Sequence, residues 1–234
     1  MASAAPAFPF TKETAHYARL CRLLVDVGSQ VLRKTFDRIH PPGNLHTDLL
    51  DPVVHDILQS LRTKRILNPS QWGKLYPARS SASSKDFDIT LLMVLLRNIC
   101  GLAPPATGWD DLPPAADITP EADIARVKHY RNQVYGHASQ ASVDDATFST
   151  CWKDIRDTLV RLGGAKYTAA IDDLKDKCMD PDIEEHYREL LKQWSKDEDS
   201  IKDKLDEMVE KLDELKASVV NPEGRSAPLK TRKL

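Results

Sequence analysis

The sequence predicts an all-α fold, namely a helical bundle followed by a long C-terminal helix with coiled-coil heptads. Apolar residues recur at helical spacing through most of the 234 residues, whereas the alternation typical of strands is scarce. Proline, glycine and capping residues separate the apolar runs, as they do between helices. Because 41% of the residues are apolar, the chain has enough apolar side chains for an ordinary core.

The predicted bundle begins with one long helix. Residues 1–10 are predicted to be a disordered lead, and the apolar positions that follow indicate a helix over 12–38. We expect the run Pro41-Pro42-Gly43 to end this helix. A second helix begins at Asp51, whose carboxylate can accept from free amides, and Pro52 suits its first turn because no N–H is needed there.

The middle of the chain is predicted to hold the most buried helix and a long loop. Residues 68–84 have no clear period and are predicted to be irregular, whereas 85–100 is largely apolar and indicates a helix. The loop at 101–119 is rich in proline, glycine and aspartate. A loop of this length is uncommon unless it is functional or is packed by its own side chains. Trp109 and Leu112 are the residues expected to pack it.

Thr119 and Pro120 indicate the start of the next helix, because a hydroxyl can cap it and proline fits its first turn. The apolar period continues to Val134. Gly136 has poor helix propensity, so the helix is expected to end near residues 137–139.

The last helix of the predicted bundle begins at Asp144 or Asp145 and ends at the glycine pair at 163–164. These helices define a predicted domain at 11–164. A shorter connecting helix is predicted to follow it over 165–180.

The C-terminal part is predicted to be a long helix at 181–220. From Tyr187 to Val219, apolar residues alternate in steps of four and three, with Glu198 as a polar defect, which is a heptad seam. The narrow seam and the charged remaining faces favour a homodimer through residues 187–219, although a helix packed back on the domain fits the same pattern. Residues 221–234 are predicted to be a basic, disordered tail.

The distribution of charge restricts where RNA can bind. The net charge of −2 is not typical of a dedicated nucleic-acid binder. Residues 1–80 nevertheless carry 11 basic against 6 acidic side chains, whereas residues 165–220 carry 10 against 17. An RNA surface is therefore expected in the N-terminal third and at Arg131, because the acidic segment repels phosphate.

The cysteines indicate a reducing compartment. Their long, unrelated spacings predict buried thiols rather than metal ligands, for Cys21, Cys100, Cys151 and Cys178 alike. Buried thiols suit a reducing environment, and we find no signal-peptide pattern or bilayer-length apolar run. A cytoplasmic protein with no metal, no cofactor and no membrane partner is expected.

The segment from Arg131 to His137 concentrates the chemistry of the chain. RNA cleavage without a metal needs a base for the 2′-hydroxyl proton, which histidine supplies near neutral pH. It also needs a cation for the phosphate oxygens, which the planar arginine fork binds in a bidentate manner. Asn132 can orient either group or bind the phosphate. The residues that can extend this site along RNA are Arg126, Lys128 and His129.

Helix geometry adds a condition to this site. On one straight helix, the side chains of Arg131 and His137 point about 120° apart. A working site therefore needs a break at Gly136, a second chain, or both. The alternative is that arginine and histidine only offset the negative end of the helix dipole and bind its free carbonyls.

The residues around this segment resemble HEPN domains of the type found in the DAZ-interacting zinc-finger ubiquitin ligase and in animal immune-receptor-like proteins. The resemblance covers roughly residues 12–162. It is carried by Leu95-Leu96-Arg97-Asn98-Ile99-Cys100-Gly101-Leu102, Pro104-Pro105, Gly108-Trp109-Asp110, Pro113, Asp117-Ile118, Ala122-Asp123-Ile124-Ala125-Arg126-Val127-Lys128, Tyr130-Arg131-Asn132, Tyr135-Gly136-His137, Phe148, Trp152 and Ile155.

The resemblance implies an all-α, HEPN-like bundle and two alternative functions. In one, the chain binds RNA and is a metal-independent endoribonuclease, often assembled across a dimer. Arg131 would then stabilise the phosphate, Asn132 would be the polar residue after the arginine, and His137 would be the general acid and base. In the other, the chain is a non-catalytic interaction module of an innate-immune or signalling assembly. Ligase activity is not implied, because the chain has no RING-type cysteine array.

Overall fold

The computed structural model describes residues 11–136, 141–176 and 186. Within these ranges the regular elements are all helical, which confirms the all-α prediction there. In chain order they are α1 Lys12–Arg22, a π-helical segment Leu23–Gly28, α2 Ser29–Ile39, α3 Leu45–Leu50, α4 Pro52–Thr63, α5 Pro69–Leu75, a 3₁₀ turn Ser84–Asp86, α6 Ile89–Asn98, α7 Pro120–Gly136, α8 Asp145–Gly163, a 3₁₀ turn Ala165–Tyr167 and α9 Thr168–Asp176.

The long N-terminal run of α1, the π-helical segment and α2 is continuous, as the apolar spacing predicts. A capping box begins it, because the Thr11 hydroxyl accepts from the Thr14 amide at 3.3 Å and the Thr14 hydroxyl accepts from the Thr11 amide at 3.0 Å. The sequence predicts one regular helix over 12–38, whereas Leu23–Gly28 is π-helical. The inner face of the run is buried and includes Tyr17, Leu20, Leu24, Val31, Leu32 and Phe36.

Side-chain caps define two of the short helices that follow. Asp51 caps α4 as predicted, accepting from two amides of its first turn at 2.9 and 3.2 Å. The prediction that residues 68–84 are irregular is wrong where α5 forms. Asn68 accepts from the Gln71 amide at 2.8 Å, and the Gln71 side chain accepts from the Asn68 amide at 3.0 Å, so a capping box starts this helix.

The loop between α6 and α7 packs on the core through part of its length. Trp109 is partly buried against the core, as predicted. Leu112 is 44% exposed, so the prediction that it packs inward is wrong. Pro105 and Pro113 are buried in this loop instead.

α7 and α8 run antiparallel and bring polar pairs together along their length. The Tyr130 hydroxyl donates to Asp154 at 3.2 Å, and Arg161 donates to Asp123 at the opposite end of the pair. α8 also packs beside α1 and α2, so it lies at the centre of the described bundle. This arrangement places the segment 126–131 beside both the core and the loop.

α7 and α8 begin at the capping residues that the sequence predicts. Thr119 accepts from the Ala122 amide at 3.3 Å, and Asp144 accepts from two amides at the start of α8 at 2.9 and 3.0 Å. α8 ends at Gly163, where an added Cβ would lie 2.8 Å from the Val31 side chain. The missing side chain therefore permits close approach of α8 to α2.

Beyond α8, a 3₁₀ turn and α9 occupy the described part of the predicted connecting segment. The predicted lead at 1–10, the coiled-coil helix at 181–220 and the tail at 221–234 lie outside the described residues, apart from residue 186. Homodimerisation through 187–219 therefore remains a prediction. None of the described helices is both long enough and apolar enough to cross a membrane.

Candidate functional site

Arg131, the predicted phosphate-binding residue, lies on α7 and is only 5% exposed. Its Nε and Nη2 atoms donate to Oδ1 of Asn132 at 3.0 and 2.8 Å. Its Nη1 atom makes a longer hydrogen bond of 3.4 Å to the Thr90 hydroxyl on α6. The sequence neighbour Asn132 and the distant residue Thr90 thus contact the guanidinium on two sides.

The edge of Arg131 that faces Asn132 is suited to an oxyanion. A guanidinium binds carboxylate or phosphate with two parallel N–H groups, and here one amide oxygen accepts from both Nε and Nη2. Asn132 is exposed, whereas Arg131 is not. An incoming phosphate would therefore meet the amide first and would have to displace its oxygen to gain the fork.

Sequence reasoning did not identify Thr90, which lies 41 residues before Arg131. Thr90 is buried near the start of α6. Asp88 caps that helix by accepting from the Leu91 amide at 2.9 Å, and it also accepts from Nζ of Lys74 at 3.0 Å. The hydroxyl that contacts Arg131 therefore sits on an anchored helix end. No local signal predicts this contact, because it depends on packing between distant segments.

His137, the predicted general acid and base, lies outside the described residues. α7 extends to Gly136 within the described range. On a straight continuation of α7, His137 and Arg131 would point about 120° apart. The expected break at Gly136, or a second chain, therefore remains a prediction.

Arg126 holds the loop rather than facing solvent. It is buried, and its Nη1 atom donates to Asp123 at 2.8 Å. Its Nη2 atom donates to the carbonyls of Pro114 and Asp117. The predicted phosphate contact of Arg126 gains no support from this position, because a buried carboxylate and two loop carbonyls engage its guanidinium.

Asp123 joins this loop anchor to α8. Besides Arg126, it accepts from Nη2 and Nε of Arg161 at 2.6 and 3.0 Å. The hydrogen bond to Asp123 is the main reason why the pKa of Arg161 is raised. Because Asp123 is buried, the hydrogen bonds from the two guanidinium groups offset the cost of burying its charge.

Lys128, the second predicted RNA contact, is paired with the loop. Its Nζ atom donates to Oδ1 of Asp110, and Nη2 of Arg97 lies 3.5 Å from the same oxygen. The hydrogen bond from Lys128 is the largest cause that lowers the pKa of Asp110. The Arg97 guanidinium also lies 5.7 Å from the centre of the Trp109 ring.

His129, the third predicted RNA contact, is partly buried. Its ring meets the Tyr130 ring edge-on at a centroid distance of 5.5 Å. Burial, followed by the neighbouring carboxylate of Asp154, raises the pKa of Tyr130 to about 12. His129 thus contacts the Tyr130 ring at the α7 surface, and its RNA contact remains a prediction.

The thiols of the described part of the chain behave as predicted from the sequence. Cys21, Cys100 and Cys151 are buried thiols rather than members of disulfides. Burial raises the pKa of Cys100 to about 12 and raises that of Cys151. Cys178 lies outside the described residues. In the same described ranges, no three histidine, cysteine or acidic side chains come together as a metal-binding group.

Comparison with known proteins identifies similar sequences. A family described as DZIP3/hRUL138-like HEPN matches residues 42–187. The chain is 31% identical over 157 residues to the E3 ubiquitin-protein ligase DZIP3 of Homo sapiens and, equally, to that of Mus musculus. The match covers 66% of this chain but 13% of each relative, so the chain spans about an eighth of their length. No solved structure matches the chain.

Proposed function

Because the chain belongs to the DZIP3/hRUL138-like HEPN family, we propose that it binds RNA and cleaves it without a metal, using Arg131, Asn132 and His137. The observation that carries this proposal is the fixation of the Arg131 guanidinium by Asn132 and Thr90. Once a phosphate has taken the place of the Asn132 oxygen, a cation whose position is already fixed stabilises the negative charge that develops in the reaction.

The proposed reaction transfers the phosphodiester to the neighbouring 2′-oxygen. His137 takes the 2′-hydroxyl proton, the 2′-oxygen attacks phosphorus, and the bond from phosphorus to the 5′-oxygen breaks. The leaving 5′-oxygen takes a proton from the histidine of a second copy of the motif in a homodimer. The products are a 2′,3′-cyclic phosphate and a 5′-hydroxyl. Arg131 binds the non-bridging oxygens, whose negative charge grows in the transition state.

Cleavage of single-stranded RNA by the purified full chain in EDTA tests this proposal. His137→Ala is expected to lower the rate by about 100-fold or more, because general acid–base catalysis contributes on that scale. Arg131→Lys keeps the charge but loses the fork, and it is also expected to be slow. His46→Ala, at an exposed position on α3, serves as the control and should match the wild type. Equal rates for wild type and His137→Ala would overturn the catalytic proposal.

A second candidate function is that of a non-catalytic interaction module in an innate-immune or signalling assembly. The observation that favours it is an apolar surface at the start of α4, where Leu50 and Val53 are large exposed hydrophobic residues on either side of Asp51 and Pro52. In this case no variant cleaves RNA. The ligase activity in the relatives' name is not part of either proposal, because the chain matches only 13% of their length.

A further inference from the structure

Two cations from different helices converge on one exposed carboxylate. Lys128 of α7 donates to Oδ1 of Asp110, and Nη2 of Arg97 on α6 lies 3.5 Å from the same atom. The side chains of Lys128 and Arg97 are 16% and 26% exposed, whereas that of Asp110 is 74% exposed. The cations are therefore built into the fold, and the carboxylate is the partner that solvent or a ligand can reach.

We infer that Arg97 and Lys128 form a second phosphate subsite for single-stranded RNA, which Asp110 occupies in place of a phosphate group. Convergent arginine and lysine donors on one anionic oxygen are the arrangement that binds phosphate oxygens in proteins. This inference rests on the RNA-binding part of the proposed function and not on cleavage. Arg97 is then an additional RNA contact, beyond the residues predicted from the sequence.

The position of the subsite relative to Arg131 supports one continuous RNA path. Lys128 precedes Arg131 by three residues on α7, so the two side chains are neighbours on the helix surface. Such residues are separated along the axis by less than one turn, which rises about 5.4 Å. A strand whose scissile phosphate binds Arg131 can therefore place a nearby phosphate at Lys128 and Arg97.

The loop can release Asp110 without leaving the core. Arg126 binds the carbonyls of Pro114 and Asp117, which anchors the later part of the loop independently of Asp110. Partly exposed ion pairs contribute little to stability, so the Asp110 contacts can be exchanged for those of a phosphodiester of equal charge. The ring of Trp109, beside Arg97, offers a surface on which a neighbouring base can stack.

Binding of uncleavable RNA to charge variants tests the subsite. The probe is a short, fluorescently labelled, fully 2′-O-methylated single strand, which lacks the attacking hydroxyl, and the readout is anisotropy in EDTA. Asp110→Asn is expected to tighten binding about threefold, the scale of one partly exposed charge contact. Asp111→Asn makes the same charge change at the next, exposed residue and is expected to leave the Kd nearly unchanged.

The roles of Arg97 and Lys128 in RNA binding are tested in the Asp110→Asn variant. Adding Arg97→Gln and Lys128→Gln to Asp110→Asn is expected to remove the gain in affinity, with thermal melting used to confirm that each variant is folded. Equal tightening by Asp110→Asn and Asp111→Asn, or weaker binding by Asp110→Asn, overturns the subsite. Absence of RNA binding in every variant overturns it together with the RNA-binding proposal.

The outcome also separates this inference from the proposed cleavage. If Asp110→Asn alone tightens binding while no protein cleaves RNA in EDTA, the subsite stands and the catalytic proposal fails. If the wild type cleaves RNA but neither affinity nor cleavage responds to Asp110→Asn, the subsite fails and the catalytic proposal stands.

Discussion

Arg126 and Arg131 are buried on the same helix. Arg126 binds the carboxylate of Asp123 together with loop carbonyls, whereas the contacts of Arg131 include the oxygens of Asn132 and Thr90. When a phosphate oxygen replaces the Asn132 oxygen, a charged acceptor takes the place of a neutral one, which strengthens the hydrogen bonds of the guanidinium. At the scale of single residues, the edge of Arg131 that faces Asn132 is therefore suited to an RNA phosphate.

The Thr90 hydroxyl is expected to position Arg131 for cleavage. Thr90→Val keeps the shape of the side chain but removes the acceptor, and it should lower the single-turnover cleavage rate by about tenfold, the scale of one hydrogen bond to a charged group. Thr90→Ser restores a hydroxyl and should recover most of the rate. A valine variant that cleaves as fast as the wild type, or a serine variant as slow as the valine variant, would exclude this role.

Local signals predicted residues whose partners are close in the sequence. Asp51, Thr119 and Asp144 all cap the helices for which they were proposed, because a cap depends on amides two or three residues away. Arg131 and Asn132 were found as a pair for the same reason. Thr90 was not found, because its contact with Arg131 is made by the fold.

Helices α3 and α5 show the limit of prediction at the level of elements. They are six and seven residues long, so neither contains enough turns to display an apolar period. The failed placement of Leu112 has a related cause. The sequence identifies apolar residues in a loop, but the path of the loop decides which of them turn inward, and here the buried positions belong to prolines.

The end of α8 depends on the absence of a side chain. An added Cβ at Gly163 would lie 2.7 Å from the Tyr167 ring and 2.8 Å from Val31. Gly163→Ala is therefore expected to lower the free energy of unfolding by about 1–3 kcal/mol through overpacking. Gly73→Ala in α5, where an added Cβ meets nothing within 4 Å, is the control and should be neutral or slightly stabilising.

Urea denaturation of both alanine variants measures this difference. A Gly163→Ala protein as stable as Gly73→Ala would show that Tyr167 and Val31 move aside freely. The close approach of α8 to α2 would then not depend on glycine.

At the scale of the whole molecule, a buried thiol and two buried phenols link the free energy of unfolding to pH. The folded chain raises the pKa of Cys100, Tyr76 and Tyr130 to about 12, in each case chiefly through burial. Unfolding returns the thiol to a pKa of about 8.5 and the phenols to about 10, so the unfolded chain loses these protons first. The contribution of these three groups to the free energy of unfolding is therefore fully present below about pH 8.5. It falls as the pH rises towards 12.

Thermal melting between pH 7.5 and pH 10.5 measures this dependence, and the midpoint is expected to fall across the range. Cys100→Ala removes one of the linked groups and should reduce the slope, most clearly near pH 9. A midpoint that stays level, or a slope unchanged in Cys100→Ala, would contradict the assignment of this linkage to the buried thiol.

Self-association is the other prediction at this scale. The heptad seam at 187–219 predicts that the full chain is a homodimer and that a fragment ending at residue 180 is a monomer. Light scattering of both proteins measures the two masses directly. A monomeric full chain would remove the route by which a second copy of the motif could supply the acid histidine.

The π-helical segment is the point of the first long helical run that tolerates a change in chain length. In this segment the Ser29 amide donates to the Leu24 carbonyl, five residues earlier, where a regular helix would use four. The segment thus acts as a one-residue insertion into an otherwise regular helix, and its wider turn absorbs the extra residue. Deleting one residue from Leu23–Gly28 would restore the regular spacing and leave Val31 and Phe36 on the buried face. A one-residue deletion elsewhere in α1 or α2 would instead turn the rest of the run by about 100° and carry part of its apolar face out of the core.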